Sequence, residues 1–380
     1  MDRTPYRTIL DWLLLLPDPR GRQGRRYGWE LLLRLLAMAF ASDCRGALAI
    51  QEWVACQQEE LAAGLGRQWR GVPSESTFQR LLRQIDVEVL EELAAGHNLA
   101  VARDTARAAE QPLVALALDG KWVRTASAHG SRVLLLGLST QREGLPLCQA
   151  RVPAGRNEES VAPAMLQRLD LGGCLVTMDA GITSRAVARA IVAAGGHYLM
   201  VVKGDTADWH QELAAVFATA PGRRFDRQRR HFATIEKGHG RREERSLWVS
   251  GESCDWLGLA GAGAMLMRQT TRTEVKSGRR GETQTTYAVT SLTPDRVPLP
   301  WLAGCWRGHW SIENKVHWVR DVTFGEDRCA VWRGGAPQVL AALRNMLLAA
   351  VRRDDRWPSM ASALRWARAK PIHAMQLTGA

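Results

Sequence analysis

LVALALDGK (113–121) is the stretch that decides the fold class. Its six apolar residues in a row stop at Asp119-Gly120. So short a run, closed by a glycine, fits a central strand buried on both faces. Reading outward, RVLLLGLST (132–140) and GLPLCQARV (144–152) predict two more strands around the turn 141–144. Residues 160–169 predict a helix. CLVTM (174–178) predicts a strand ending at Asp179, 184–194 a helix capped by Ser184, and HYLMVV (197–202) a strand ending at Lys203. Three strands, helix, strand, helix, strand describes an open α/β sheet. It leaves Asp119 and Asp179 at the carboxyl edge, where such sheets bind ligands.

The flanks differ. Residues 1–105 predict a helical domain: Leu31, Leu32, Leu35, Leu36 and Ala39 recur at helical spacing, a second helix covers 50–62, and a third covers 77–85 behind a Ser74 or Ser76 cap. Its arginines Arg80 and Arg83 and the basic loop PRGRQGRR (19–26) suit a DNA-reading module or an ordinary bundle with solvated charge. Residues 206–300 carry short alternating runs (246–249, 264–267, 285–289) and predict a β-rich insertion. From 301 to 380 the pattern is helical, most clearly over 336–352. The implied division is 1–105, 106–205, 206–300 and 301–380.

The chain has 380 residues with 51 Lys+Arg against 39 Asp+Glu, a net charge of +12. That balance attracts polyanions, nucleic acid first and an anionic membrane surface second. The 46% hydrophobic content excludes a disordered chain. Seven cysteines without a C-x-x-C pair exclude a disulfide framework or a zinc site of the usual spacing, so buried free thiols are expected. Neither the polar opening residues nor the short apolar run 31–41 reads as a signal or a membrane span, so a soluble cytoplasmic protein without a membrane partner is expected.

WRGHWSIENKVHWVR (306–320) carries the chemistry. Read as one helix, its spacing of four and seven places Trp306, His309, Glu313, His317 and Arg320 on one face. Trp310 and Trp318 are expected in the core; Trp306 and Trp332 fit a core equally. A helical carboxylate amid cations suits metal and phosphate work, which makes Asp119, Asp179 and Glu313 candidate ligands of one site. Asp321, Glu326 and Asp327 are alternative ligands or counter-charges for local arginines. Lys121, Arg124 and Lys203, just past strand ends, suit phosphate contacts, with solvated charge as the plain alternative. EKGHGRREER (236–245), with Arg241, reads as a DNA grip or an exposed hairpin, and Trp248 as a residue that stacks on a base or simply packs.

These motifs resemble the H-repeat-associated insertion-sequence transposases, a branch of the bacterial DDE transposases with a Y-R-E-K-type signature. Trp306, His309, Glu313 and Arg320 keep the signature's intervals of two, three and six residues. HWSIENKVHWVRDVTFGEDRC (309–329), ALDGK (117–121), RNEESVAP (156–163), GGHYLMVVKGD (195–205), PDPRGRQGRRY and GVPSESTFQRLL extend the resemblance over nearly the whole chain. Trp122-Val123, Gly181-Ile182 and Asp205-Thr206 depart from the branch's usual residues without removing a ligand.

The resemblance implies an RNase H-like α/β core, a mixed sheet flanked by helices, with a β-rich insertion and an N-terminal helical domain. It implies metal binding and catalysis by Asp119, Asp179 and Glu313 with two Mg²⁺ ions, Mn²⁺ substituting. It also implies contacts to double-stranded DNA through Lys121, Arg124, Lys203, Arg241, Trp306, His309, His317 and Arg320. The partners would be terminal inverted repeats, target DNA and, by analogy with synapsis of two ends, a second copy of the chain; the setting would be a bacterial cytoplasm, at the nucleoid when bound. A non-catalytic DNA-binding derivative, another RNase H-like nuclease and a helical scaffold stay open as alternatives.

Overall fold

The structure, a computed structural model, describes residues 8–22, 25–124, 132–204, 207–218, 229–238, 240–252, 254–329, 331 and 335–380. Gln23, Gly24, Asp205, Thr206, His239 and Trp332 lie outside them, as does the side chain of Arg124.

Six helices come first: α1 (Ile9–Leu13), α2 (Trp29–Ala41), α3 (Ala47–Cys56), α4 (Gln58–Gly64), α5 (Glu75–Gln84) and α6 (Val87–Ala108). Then follow β1 (Val114–Arg124), β2 (Arg132–Thr140), β3 (Pro146–Val152), α7 (Glu158–Leu166), β4 (Cys174–Met178), α8 (Arg185–Ala193), β5 (His197–Val202) and α9 (Ala207–Ala218). Strands β6 (Arg229–Gly238), β7 (Arg241–Ser250), β8 (Ala264–Glu274) and β9 (Gln284–Thr290) precede α10 (Leu299–Gly308), π-helical turns Glu313–His317 and Val319–Thr323, α11 (Ala336–Arg352), α12 (Met360–Ala369) and α13 (Pro371–Thr378). The chain is a mixed α/β protein made of two compact units.

One unit holds residues 105–119 and 155–310. Its strands run in the order β1-β4-β5-β9-β8-β7-β6. β1, β4 and β5 are parallel, joined by crossover helices; β5 to β6 are antiparallel. Ser184 caps α8 as read, accepting from Val187 N at 3.3 Å, whereas α7 starts earlier than read because Asn157 Oδ1 caps it through Ser160 N at 3.2 Å. The core joins Leu175, Leu199 and Val201 to Leu247, Val249 and Leu266 and to Leu299, Leu302 and Trp306 of α10, with Ala115 packed against it. Alternation along a strand therefore turns Asp119, Asp179 and Lys203 toward the face that α10 covers.

The three insertion segments read from sequence lie within longer strands β7, β8 and β9; β6 and α9 went unread. β6 is mostly polar and charged, so its period of two carries little hydrophobic signal.

The other unit holds residues 1–104, 120–154 and 311–380. α2 is buried along nearly all of its length, and Phe78, Leu81 and Leu82 form the buried stripe of α5. β3 pairs antiparallel with β2, which neighbours β1. Val123, Val133 and Leu135 pack against Ala341 of α11. β1 does not stop at Asp119: pairing with β4 ends at Leu118↔Met178, but the chain stays extended through Arg124.

Segment 306–320 is not one regular helix. α10 ends at Gly308, His309 and Trp310 form a turn, and π-helical bonds then run from Trp318 N to Glu313 O and from Phe324 N to Val319 O. Wider turns break the 3.6-residue stripe, and π segments of this kind concentrate at functional sites. His317 and Arg320 turn inward, while Trp310 and Trp318 are 65% and 54% exposed, against the expectation that both are core. Of the cysteines, Cys56 is exposed and the other six are buried.

Candidate active site

Asp119 and Asp179 directly follow the paired residues Leu118 and Met178 on adjacent parallel strands. Neighbouring strands lie about 4.8 Å apart, so the two carboxylates start from adjacent backbone positions on one face. Both are half-buried. Asp179 Oδ1 accepts from Gly181 N at 3.0 Å, and Thr183 Oγ1 donates to the backbone oxygens of Asp179 (3.0 Å) and Val201 (2.8 Å), which fixes the loop after β4. Two residues before Asp179, Thr177 Oγ1 donates to Leu116 O at 2.9 Å and lies 3.2 Å from His309 Nδ1. His309 thus reaches the face that the aspartates share. Lys203, just past β5, is exposed on the same edge.

Glu313 stands half-buried at the start of the first π-helical turn and accepts from His317 Nδ1 at 3.1 Å. That bond, helped by Lys121 and opposed by burial, holds its pKa below the ordinary value, so the group is anionic at neutral pH. Burial pushes the His317 pKa down more than Glu313 raises it. A neutral His317 that donates from Nδ1 directs the Nε2 lone pair away from Glu313.

Behind this turn is a buried charge network. Glu326, with no exposed surface, accepts from Arg320 Nη2 at 2.9 Å and Nε at 3.0 Å, and from Arg344 Nη1 at 3.0 Å. Lys121 Nζ donates to Asp321 Oδ1 at 2.5 Å and lies 3.9 Å from Glu326. Arg320 Nη1 donates to Gln149 Oε1 at 3.2 Å. Asp321 and Glu326 are therefore counter-charges to local cations. Sequence reasoning missed Arg344, Gln149 and Thr177; an arginine inside the apolar helix 336–352 was the available signal for the first.

Among the residues read as DNA contacts, Lys203 and Arg241 are exposed and His309 is half-buried, whereas Lys121, Trp306, His317 and Arg320 are buried. Arg320 has its guanidinium committed to Glu326 and Gln149, and Trp306 lies in the core under Arg268.

Residues 110–348 match the family described as "Transposase DDE domain", and residues 10–97 match "DDE_Tnp_1-associated". "Putative transposase YncI" of Escherichia coli O157:H7 is 27% identical over 361 residues, covering 90% of this chain and 86% of that protein. "H repeat-associated putative transposase YhhI" of Escherichia coli K12 is 24% identical over 357 residues, covering 90% and 89%. "Uncharacterized protein in dhlA 3'region" of Xanthobacter autotrophicus is 33% identical over 250 residues, covering 64% of this chain and 80% of its own length. No helix among the described residues is long and apolar enough to cross a membrane. A DDE domain implies the use of divalent metal, and the half-buried carboxylates Asp119 and Asp179 on adjacent strand ends are oxygen donors of the kind such ions take. With the domain match spanning well over half of its length, the chain belongs to the transposase DDE domain family and is a DDE transposase.

Proposed function

We propose that Asp119, Asp179 and Glu313 together hold two Mg²⁺ ions, with Mn²⁺ as a substitute, and that the enzyme cuts insertion-sequence ends and joins them to target DNA. The observation that carries this reading is the Leu118↔Met178 register, which sets Asp119 and Asp179 side by side on one face. When bound, the ions supply Lewis acidity toward the scissile phosphate and lower the pKa of the attacking hydroxyl.

The chain's residues position and neutralise. His317 orients the Glu313 carboxylate, and Thr177 orients His309 over the aspartate edge. Lys203 and Arg241 meet DNA phosphates from exposed positions. Water attacks the phosphodiester at the element end and the P–O3′ bond breaks. The freed 3′-hydroxyl then attacks a target phosphodiester, expelling a 3′-hydroxyl there. No protein nucleophile takes part. The order of β1–β3, α7, β4, α8 and β5 supports an RNase H-like core interrupted by the β6–β9 insertion. Synapsis of two ends calls for a homodimer, and the setting is the bacterial cytoplasm, at the nucleoid.

Glu313→Gln keeps the side chain's shape and removes its charge. With Mg²⁺ or Mn²⁺ and the flanking inverted-repeat DNA, wild type should nick at the repeat end. The variant should bind that DNA and lose cleavage by at least about 100-fold, the scale on which a preorganised charge acts. Equal cutting by both would remove Glu313 from the site. Binding without cutting by both would make the chain a DNA-binding derivative.

A further inference from the structure

Strands β6, β7 and β8 and helix α10 line a cavity of about 160 Å³ to which Asp119, Asp179 and Glu313 do not contribute. Phe232, Leu247 and Trp306 line it together with Arg245, Arg268 and Arg307. The guanidinium of Arg268 stacks 4.4 Å from the centroid of the Trp306 ring, and its buried Nε has no hydrogen-bond partner among the described residues. Burial first, then repulsion from Arg245 and Arg272, lowers its pKa to about 10. A desolvated cation among cations favours an anion beside it.

One anion stands at the cavity already. Glu236 accepts from Arg307 Nη1 at 2.5 and 2.6 Å and from Arg245 Nη1 at 3.1 Å. Arg245 also pairs with Glu243, which Arg272 shares at 3.0 Å. The Glu236 and Arg307 side chains are 46% and 56% exposed, so this pair exchanges readily with other anions.

We propose that this cavity receives one DNA phosphodiester, and that Glu236 occupies its arginines as an internal surrogate until DNA arrives. The proposal rests on DNA being the substrate. A phosphodiester offers one negative charge and two non-bridging oxygens, the same fork that a carboxylate offers to a guanidinium. Given about 30 Å³ per water, the cavity has room for the group with bridging water. Entry of DNA displaces Glu236, turns Arg307 to the phosphate and gives Arg268 Nε an acceptor.

The test is fluorescence anisotropy of a labelled non-cognate duplex of about 20 base pairs on the full chain, over a salt series. Glu236→Gln should bind roughly 3- to 10-fold tighter at low salt, with a log–log salt slope steeper by up to about 0.9, the share of one further phosphate. Asp295→Asn removes another exposed carboxylate, one paired with Arg230 at 3.7 Å. Arg230 lies six residues, about 20 Å, along β6 from Glu236, so this variant controls for net charge and should stay within about twofold of wild type. Adding Arg268→Lys to Glu236→Gln should cancel the gain, because lysine lacks the Nε–H and the planar fork. Equal effects of Glu236→Gln and Asp295→Asn, or a gain that survives Arg268→Lys, would overturn the site and leave metal-dependent end cleavage standing. No binding of this duplex by wild type would also overturn the site, while cleavage of the inverted-repeat DNA decides the end-cutting reading separately.

Discussion

Glu326 and Glu236 are each held by two arginines, in opposite surroundings. Glu326 is fully buried between Arg320 and Arg344, with Lys121 close by. Burial alone would raise its pKa, but the cations outweigh it and hold the group at about 2. Glu236 is nearly half exposed, and its pKa is lowered chiefly by the hydrogen bond from Arg307. The same ionic pattern thus does two jobs. Without water, no other partner can replace Glu326, so the network braces the turn that carries Glu313. With water, Glu236 can be exchanged for an incoming anion.

The largest expected effect breaks the buried member. Glu326→Gln leaves Arg320 and Arg344 desolvated without their counter-charge, which costs roughly 3–5 kcal/mol in such networks. Urea unfolding at pH 7 reads this as a lower midpoint at unchanged slope. Because the folded pKa lies below the unfolded one near 4.3, Glu326's share is complete above about pH 5 and fades as pH falls toward 2. The gap between wild type and variant should shrink over that window. A loss under about 1 kcal/mol at pH 7 would mean that burial does not separate the two sites.

Glu91 sharpens the comparison, as a buried carboxyl without an arginine hydrogen bond. Its Oε2 accepts from Gln149 N at 3.2 Å, its Oε1 has no partner among the described residues, and burial, only partly offset by the Gln149 backbone and side chain, pushes its pKa up to about 8. Folding therefore favours the protonated form, and the penalty grows as pH rises from about 4.3 to 8. Glu91→Gln should be more stable than wild type at pH 8.5 by on the order of 1–3 kcal/mol, and nearly equal to it at pH 5. A constant difference across that range would assign the effect to packing.

Much of this was legible in the sequence, for local reasons. Cys174–Met178 and His197–Val202 are short apolar runs with clear stops, and both strands occupy those bounds. Asp119 and Asp179 could be placed at one edge because strand order and period follow from such runs. The face of 306–320 was not legible: it assumed α-helical turns, and π turns carry His317 and Arg320 inward and leave Trp318 exposed. The partners of Glu326 come from positions 320 and 344, and those of Glu236 from 245 and 307, separations that no local pattern encodes.

The smallest expected effect completes the contrast. Glu236→Gln should change unfolding free energy by less than about 1 kcal/mol, the range of exposed pairs, since Arg307 regains water when its partner goes. At 1 M salt, where screening reaches about 3 Å, even that difference should vanish. The Glu326→Gln deficit should persist there, because no ions reach the buried network. Should Glu236→Gln cost as much as Glu326→Gln, Glu236 would be a structural tie. DNA would then have to break a bond on which the fold depends, and the surrogate role would fall.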